Sequence, residues 1–286
     1  MDEFEFLTPT TLGEACQMLM QAGSRPVAGC TDVLPQMRRG RLKAKRLVDL
    51  SQLGELKYVE HQNGWIHLGA LLTYQELIEQ TSLQSSAPAL IQAAASIGCL
   101  QTRNRGTLGG NLGNASPAGD CLPPLLVMNA EVRLIGPYDE RKLPLSDFLL
   151  GPGKTALQPG EIIRQVDLEP LPASAETVFL KLGHRQGMAV SVVSAALTIE
   201  MDGSGVVKQA RIALGAVAPT AMRCPKTEAL LVGQAIDELV MAQAGWIAAQ
   251  ECNPIDDVRG SAVYRRHAVQ VLVKRGLQAC LRGRTR

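Results

Sequence analysis

The chain has 286 residues, 46% of them hydrophobic, and a formal net charge of +2. That length suits one large or two moderate domains with a full core, and the near-neutral balance gives neither a nucleic-acid footprint nor an acidic tail. No apolar run reaches the ~18 residues a membrane helix needs, and the opening Met1-Asp-Glu-Phe-Glu-Phe6 is acidic without an apolar h-region, so no membrane span, no signal peptide and a cytoplasmic location are expected.

In chain order, residues 9–23 read as the first helix. Thr11 and Glu14 form a capping-box pattern, Leu12, Ala15, Cys16, Leu19 and Met20 fall on one helical face, and Gly23 is placed to end it. A short extended run, Arg25-Pro-Val-Ala28, leads through Gly29-Cys-Thr-Asp32 into a second helix at 33–37, where Pro35 is confined to the first turn. Arg38, Arg39, Arg41, Lys43, Lys45 and Arg46 form a basic stretch that reads as a solvated connector, with a docking surface or diphosphate steering as the functional alternative. Strands are expected at 47–50 and 65–69, the second carrying His67 as a packed or surface residue. Thr73 and Glu76 form a second capping box ahead of a helix at 74–79, and another helix covers 88–98. A helix at 123–129 and strands at 131–135 and 161–168 follow the glycine-rich stretch described below.

Glu169-Pro-Leu-Pro-Ala-Ser-Ala-Glu176 is the best linker candidate. Beyond it come strands at 177–182, 190–201 and 206–216, the last two joined by the Asp202-Gly-Ser-Gly205 turn. Helices at 227–232, 236–250 and 261–281 close the chain, and strands followed by helices describe an α+β domain.

Arg105-Gly-Thr-Leu-Gly-Gly-Asn-Leu-Gly-Asn114 holds the adjacent glycines Gly109 and Gly110. Such a stretch is either an ordinary turn or a nest of N–H groups that binds an anion. The Val27-to-Asp32 turn follows a strand and opens a helix, so it has the same capacity. Neither stretch is a G-x-G-x-x-G or a G-x-x-x-x-G-K-[ST] motif. Together they suit a ligand with two linked phosphates. The seven cysteines, Cys16, Cys30, Cys99, Cys121, Cys224, Cys252 and Cys280, include no C-x-x-C pair and no zinc or iron–sulfur spacing. They read as reduced thiols, with no metal site on this chain and any iron–sulfur cluster on another.

These motifs carry a resemblance. Ala28-Gly-Cys-Thr-Asp32 resembles the A-G-G-T-D turn, and Thr107-Leu-Gly-Gly-Asn111 the T-[IL]-G-G-N loop, of the FAD-binding medium subunits of molybdenum hydroxylases, the xanthine dehydrogenase and carbon monoxide dehydrogenase family. Pro9 to Ala15, Leu47 to Leu50, Leu68 to Ala70 with Thr73, Asn114 to Asp120, Phe179 to Lys181 through Arg185, Ala218 to Thr220 with Arg223, and Arg259 to Ala262 with Tyr264 and Arg265 are similar to further landmarks of that family. The resemblance implies an α+β chain: a two-subdomain FAD-binding domain of the vanillyl-alcohol-oxidase-like, PCMH-type fold at 1–172, with subdomains at about 1–54 and 55–172, and a smaller domain of antiparallel sheet plus helices at 173–286.

It also implies roles for matched residues. Pro26, Val27, Ala28, Gly29, Cys30, Thr31, Asp32 and Val33, with Thr107, Leu108, Gly109, Gly110 and Asn111, would hold the FAD diphosphate through backbone N–H groups, Thr31 and Asn111 adding side-chain hydrogen bonds. Asp120 would bind a ribose or adenine-side group, a role compatible with capping the helix near Pro123. Ile97 and Ile163 would pack on the flavin or adenine, and Lys181 would lie near the isoalloxazine. Cys30 stands where the family has its second glycine, and a positive φ there costs roughly 1–2 kcal/mol. The segment Leu182 to Met188 lacks the acidic residue many relatives carry after the arginine, which leaves His184 and Arg185 without an assigned role.

The implied function is an oxidoreductase subunit with no catalytic acid or base of its own. Its FAD would take electrons from the [2Fe–2S] clusters of a small subunit, in a complex with a molybdopterin-binding large subunit, as a heterotrimer or its dimer, and pass them to NAD or O2. Two alternatives stay open: a self-sufficient FAD-dependent oxidase or reductase, and a non-catalytic nucleotide-binding assembly protein.

Overall fold

The computed structural model describes residues 3–185 and 187–284; Met1 and Asp2 of the acidic opening, Gln186 after Arg185, and the last two residues lie outside the described residues. The chain divides into two units. The first comprises Met1–Leu77, Cys99–Ala115 and Ala130–Glu169, and the second Ile78–Gly98, Ser116–Asn129 and Pro170–Arg286. No described helix is long and apolar enough to cross a membrane.

The first unit contains two main sheets. The smaller is parallel, in the order Glu5–Leu7, Arg46–Asp49, Ser24–Val27. Its first helix, Leu12–Leu19, starts as its capping box dictates: Thr11 Oγ1 accepts from Glu14 N at 3.2 Å, while Glu14 Oε2 accepts from Thr10 N at 2.7 Å. The helix is shorter than 9–23, and Gly23, at φ +86°, shapes the turn into the next strand instead of the helix end itself. Leu12, Ala15, Cys16 and Leu19 are buried against Val48, Leu50, Leu56 and Ile162. The second capping box is fully reciprocal, with Glu76 N on Thr73 Oγ1 at 3.2 Å and Thr73 N on Glu76 Oε2 at 3.0 Å.

The larger sheet is antiparallel, in the order Val59–Gln62, Trp65–Gly69, Ile162–Leu168, Glu131–Ile135, Glu140–Pro144. Its two edge strands escape sequence inspection because both are polar and half exposed, as suits an edge. A register shift between Ile163 and Gln165 interrupts the central strand.

The second unit is built on a four-stranded antiparallel sheet, Ala175–Leu182, Val193–Met201, Val207–Gly215, Met222–Arg223. Val193–Met201 is buried along nearly its whole length, because the helices Leu122–Val127 and Ala262–Arg284 both pack against it. Apolar residues at 193, 195, 197, 199 and 201 alternate with Ser194, Thr198 and Glu200, and burial on both faces encloses even Ser194 and Thr198. Leu197, Ile199, Ile212 and Leu214 share a core with Ala244 and Ala248 of the helix Glu238–Glu251 and with Val269, Val273 and Leu277 of the last helix. All seven cysteines are unpaired.

Those two helices approach closely because residue 245 has no side chain. A Cβ on Gly245 would sit 2.7 Å from the main-chain oxygen of Gln270. Main chain inside a helix cannot step aside, so Gly245→Leu is expected to lower stability by roughly 1–3 kcal/mol, read from urea denaturation of the purified chain. An unchanged midpoint would show that the pair is not packed this way.

Candidate functional site

The strand Ser24–Val27 delivers the chain into the turn at 28–32, and the helix Val33–Arg38 follows directly. Cys30 has φ +58°, so the left-handed conformation expected of the missing glycine is adopted by a cysteine. Among the described residues, the N–H groups of Gly29, Cys30, Thr31, Asp32 and Val33 donate to no protein acceptor. Successive unpartnered donors around a left-handed residue are the ingredients of a backbone anion nest.

The glycine stretch is not a loop. Leu108–Asn114 is a helix, although three of its residues are glycine, each costing about 1 kcal/mol relative to alanine in a helix interior. Tertiary packing overrides that propensity. Thr107 caps the helix by accepting from Gly110 N at 3.0 Å, and a Cβ on Gly109 would lie 2.8 Å from both the Cβ and the oxygen of Ala70. The first-turn N–H groups are committed within the protein: Leu108 to Leu72 O at 2.8 Å, Gly109 to Ala70 O at 2.8 Å, and Asn111 to Thr107 O at 3.0 Å. The two expected diphosphate stretches therefore differ in how many main-chain N–H groups they leave unbonded. The 29–33 turn carries the free donors, and 107–111 buttresses it. Ala115 ends the helix in the left-handed conformation, at φ +43°.

The two stretches touch through their backbones. A Cβ on Gly29 would fall 1.8 Å from Arg105 O and 2.4 Å from Arg105 C, so only glycine fits. Gln36 Nε2 donates to Asn114 Oδ1 at 2.9 Å and ties the two helices together.

A cavity of about 440 Å³ opens between them within the first unit, a size typical of ligand sites. Of the residues singled out in the sequence, Pro26 to Val33, Thr107, Gly109, Gly110 and Ile163 line it. Leu108 does not, being fully buried in the core. Asn111 lies outside the lining, but its Oδ1 is enclosed without a hydrogen-bond partner, an acceptor left unsatisfied by protein alone. Burial pushes the Asp32 carboxyl up. It also pushes the Cys30 thiol up, reinforced by Asp49 and partly offset by Arg105. Gln158, Pro159, Gly160 and Glu161 form a further wall that sequence reading missed.

Ile97, Asp120 and Lys181 belong to the second unit. Asp120, 6% exposed, accepts from Lys181 Nζ at 2.6 Å and from Ser191 Oγ. It does not cap the helix Leu122–Val127, whose cap position is Cys121. Burial raises the Asp120 carboxyl, with Lys181 and Ser191 pulling the other way. Lys181 Nζ also donates to Ser96 O at 3.1 Å, and its side chain lines a second cavity of about 460 Å³ together with Ser96, Gly183 and Arg185. Ile97 is half-buried just beyond the helix Pro88–Ala95. Ser191, fully buried, had no signal in the sequence beyond its place in an apolar strand approach.

Comparison with known proteins bears on this geometry. Residues 2–171 match the FAD binding domain in molybdopterin dehydrogenase, and residues 179–280 match the CO dehydrogenase flavoprotein C-terminal domain. The nicotinate dehydrogenase FAD-subunit of Eubacterium barkeri is 31% identical over 281 residues, covering 96% of this chain and 95% of that protein. The glyceraldehyde dehydrogenase medium chain of Sulfolobus acidocaldarius is 31% identical over 278 residues, covering 96% and 98%. Among solved structures, the carbon monoxide dehydrogenase of Hydrogenophaga pseudoflava that lacks the Mo-pyranopterin moiety of its cofactor contains a chain with a TM-score of 0.94 and 30% identity, covering 98% of each chain.

The left-handed Cys30 generates a test independent of any ligand. A cysteine or alanine there carries roughly 1–2 kcal/mol of backbone cost, whereas glycine loses about 0.5–1 kcal/mol more entropy on folding. Cys30→Gly is therefore expected to be the more stable of the pair Cys30→Gly and Cys30→Ala, by up to about 1 kcal/mol in thermal unfolding. An alanine variant as stable as the glycine variant would show that the turn relaxes out of the left-handed conformation.

Proposed function

The chain belongs to the family of FAD-binding subunits of molybdopterin dehydrogenases, and from that premise we propose that it is the electron-transfer subunit of a molybdenum hydroxylase complex. It is a dehydrogenase subunit, and its cofactor is FAD. The residues present fit that group. Five unpartnered N–H groups suit a diphosphate, and the enclosed Asn111 Oδ1 is an open acceptor for a hydroxyl of the cofactor and not for its phosphates.

Bound FAD supplies the redox chemistry, taking electrons from the [2Fe–2S] clusters of a small partner subunit and handing them to an external acceptor such as NAD or O2. The residues of this chain bind, orient and tune. Gly29 to Val33 fix the diphosphate through main-chain donors that are in place before binding, so little ordering cost remains. Thr31 and Asn111 add side-chain hydrogen bonds, and Ile163 supplies an apolar wall. Lys181, held by Asp120 and the Ser96 carbonyl, keeps a third ammonium hydrogen for a further acceptor. The organic substrate belongs to a molybdopterin-binding large subunit, and the assembly works in the cytoplasm. We divide the chain functionally at 172/173, with the cofactor's diphosphate assigned to the first part.

The observation that carries this reading is the unpartnered N–H arc at the mouth of a cavity lined by both motif stretches. Purified protein is expected to show flavin absorption bands and to release FAD on denaturation. Gly29→Ala is expected to lose that FAD while keeping the circular dichroism of the folded chain. A colourless protein that takes up no FAD on reconstitution would sink the proposal.

A further inference from the structure

One wall of the first unit's cavity has no regular secondary structure to hold it. Between the short strand Lys154–Thr155 and the central strand Ile162–Leu168, the chain runs irregularly. Thr155, Leu157, Gln158, Pro159, Gly160 and Glu161 all line the cavity. Gly160 is in the left-handed region, at φ +83°. The main-chain anchors of this segment are few: Ala156 N on Phe148 O at 2.9 Å and Glu161 N on Gln158 O at 3.0 Å.

Two charged side chains supply the rest. Arg141 projects from the edge strand Glu140–Pro144. Its Nε donates to Glu161 Oε1 at 2.6 Å, and its Nη2 donates to Glu161 Oε2 at 2.9 Å and to Ala156 O at 2.7 Å. Glu161 Oε2 also accepts from Gln158 N at 2.6 Å. One guanidinium therefore grips the segment at 156 and at 161, and the carboxylate it holds grips the segment again at 158. The Glu161 side chain is 7% exposed and that of Arg141 34%. Burial works to raise the Glu161 carboxyl, yet the bonds from Arg141 and the Gln158 N–H hold it below the ordinary glutamate range. The fork is bidentate, which fixes orientation as well as distance.

We infer that Arg141 and Glu161 are positioning residues for FAD: their bidentate pair sets the 155–161 wall of the cavity, and FAD affinity depends on it. The inference rests on the reading that this cavity holds the cofactor. A pair serving stability alone could lie anywhere in the sheet. This one instead bridges an edge strand to a cavity wall that no ladder supports. Glutamine at 161 can accept from only one arm of the fork, and lysine at 141 can reach one partner of the two.

The test strips FAD from the purified full-length chain and titrates it back, well below the melting temperature of each variant. Glu161→Gln and Arg141→Lys are each expected to raise the FAD Kd on the order of tenfold or more, the loss of one charge-assisted bond. Glu161→Asp, which keeps the charge with a shorter reach, should fall between them and the wild type. If one variant fails to fold, the other carries the measurement. A Kd within about twofold of wild type in a folded variant, with only its melting temperature lowered, would assign the pair to stability alone and overturn the inference. Gly29→Ala separates the two levels. Its loss of FAD alongside unchanged clamp variants rejects the clamp and leaves the cavity reading standing. Retention of FAD by Gly29→Ala rejects the cavity reading, and the clamp falls with it.

Discussion

The near-contact of two backbones, Gly29 against the carbonyl of Arg105, is the constraint on which the geometry of the site depends. The turn after Ser24–Val27 must pass close to the segment that opens the helix Leu108–Asn114, and no side chain fits between them. The parallel pairing of Ser24–Val27 with Arg46–Asp49 fixes where the turn begins, and the bond from Leu50 N to Val27 O closes its last rung. On the other side, Ala70 and Leu72 hold the start of the glycine-rich helix by accepting its first N–H groups. With both flanks fixed, Cys30 is driven into the left-handed region, and residues 29–33 line the cavity with N–H groups that have no protein acceptor. Local strain at a functional turn, balanced by well-packed surroundings, is the expected pattern.

Charge is handled in a consistent way across both units. Glu161 with Arg141, Asp120 with Lys181, and Asp257 with Arg259 and Arg265 are each buried or half-buried carboxylates gripped by cations and by additional hydrogen bonds. Burial alone would neutralise such groups. Asp257 shows the opposite outcome, since the hydrogen bonds from Arg259 hold its carboxyl far below the usual range against the opposing effect of burial. Ion pairs of this type add little net stability against an apolar replacement, but removing one partner is costly. They fix geometry, and two of the three border a cavity.

Much of this was legible in the sequence where the signal is local. The capping residues Thr11 and Thr73 mark helix starts because their bonds reach only three residues along the chain. The strand Glu131–Ile135 alternates, and Val193–Met201 is rich in apolar and β-branched residues. The helix at 108–114 was not legible, because three glycines argue against it and the packing on Ala70 that overrides them comes from a distant strand end. The grip of Arg141 on Glu161 depends on strand order in the sheet, which no spacing reveals. The turn at 27–32 was legible as a strand leading into a helix, and its resemblance to the family adds the cofactor. The difference between the two stretches emerges only from which N–H groups already have acceptors within the protein.

The central claim is that the main-chain donors of Gly29 to Val33 bind the FAD diphosphate. Hydrogen exchange of those five amides, compared between FAD-free and FAD-loaded protein, tests it most directly. Unpartnered N–H groups should exchange rapidly without FAD and become strongly protected with it, while the amides of Leu108 and Gly109, already bonded, change little. FAD bound with the 29–33 amides still exchanging at their free rates would contradict the account.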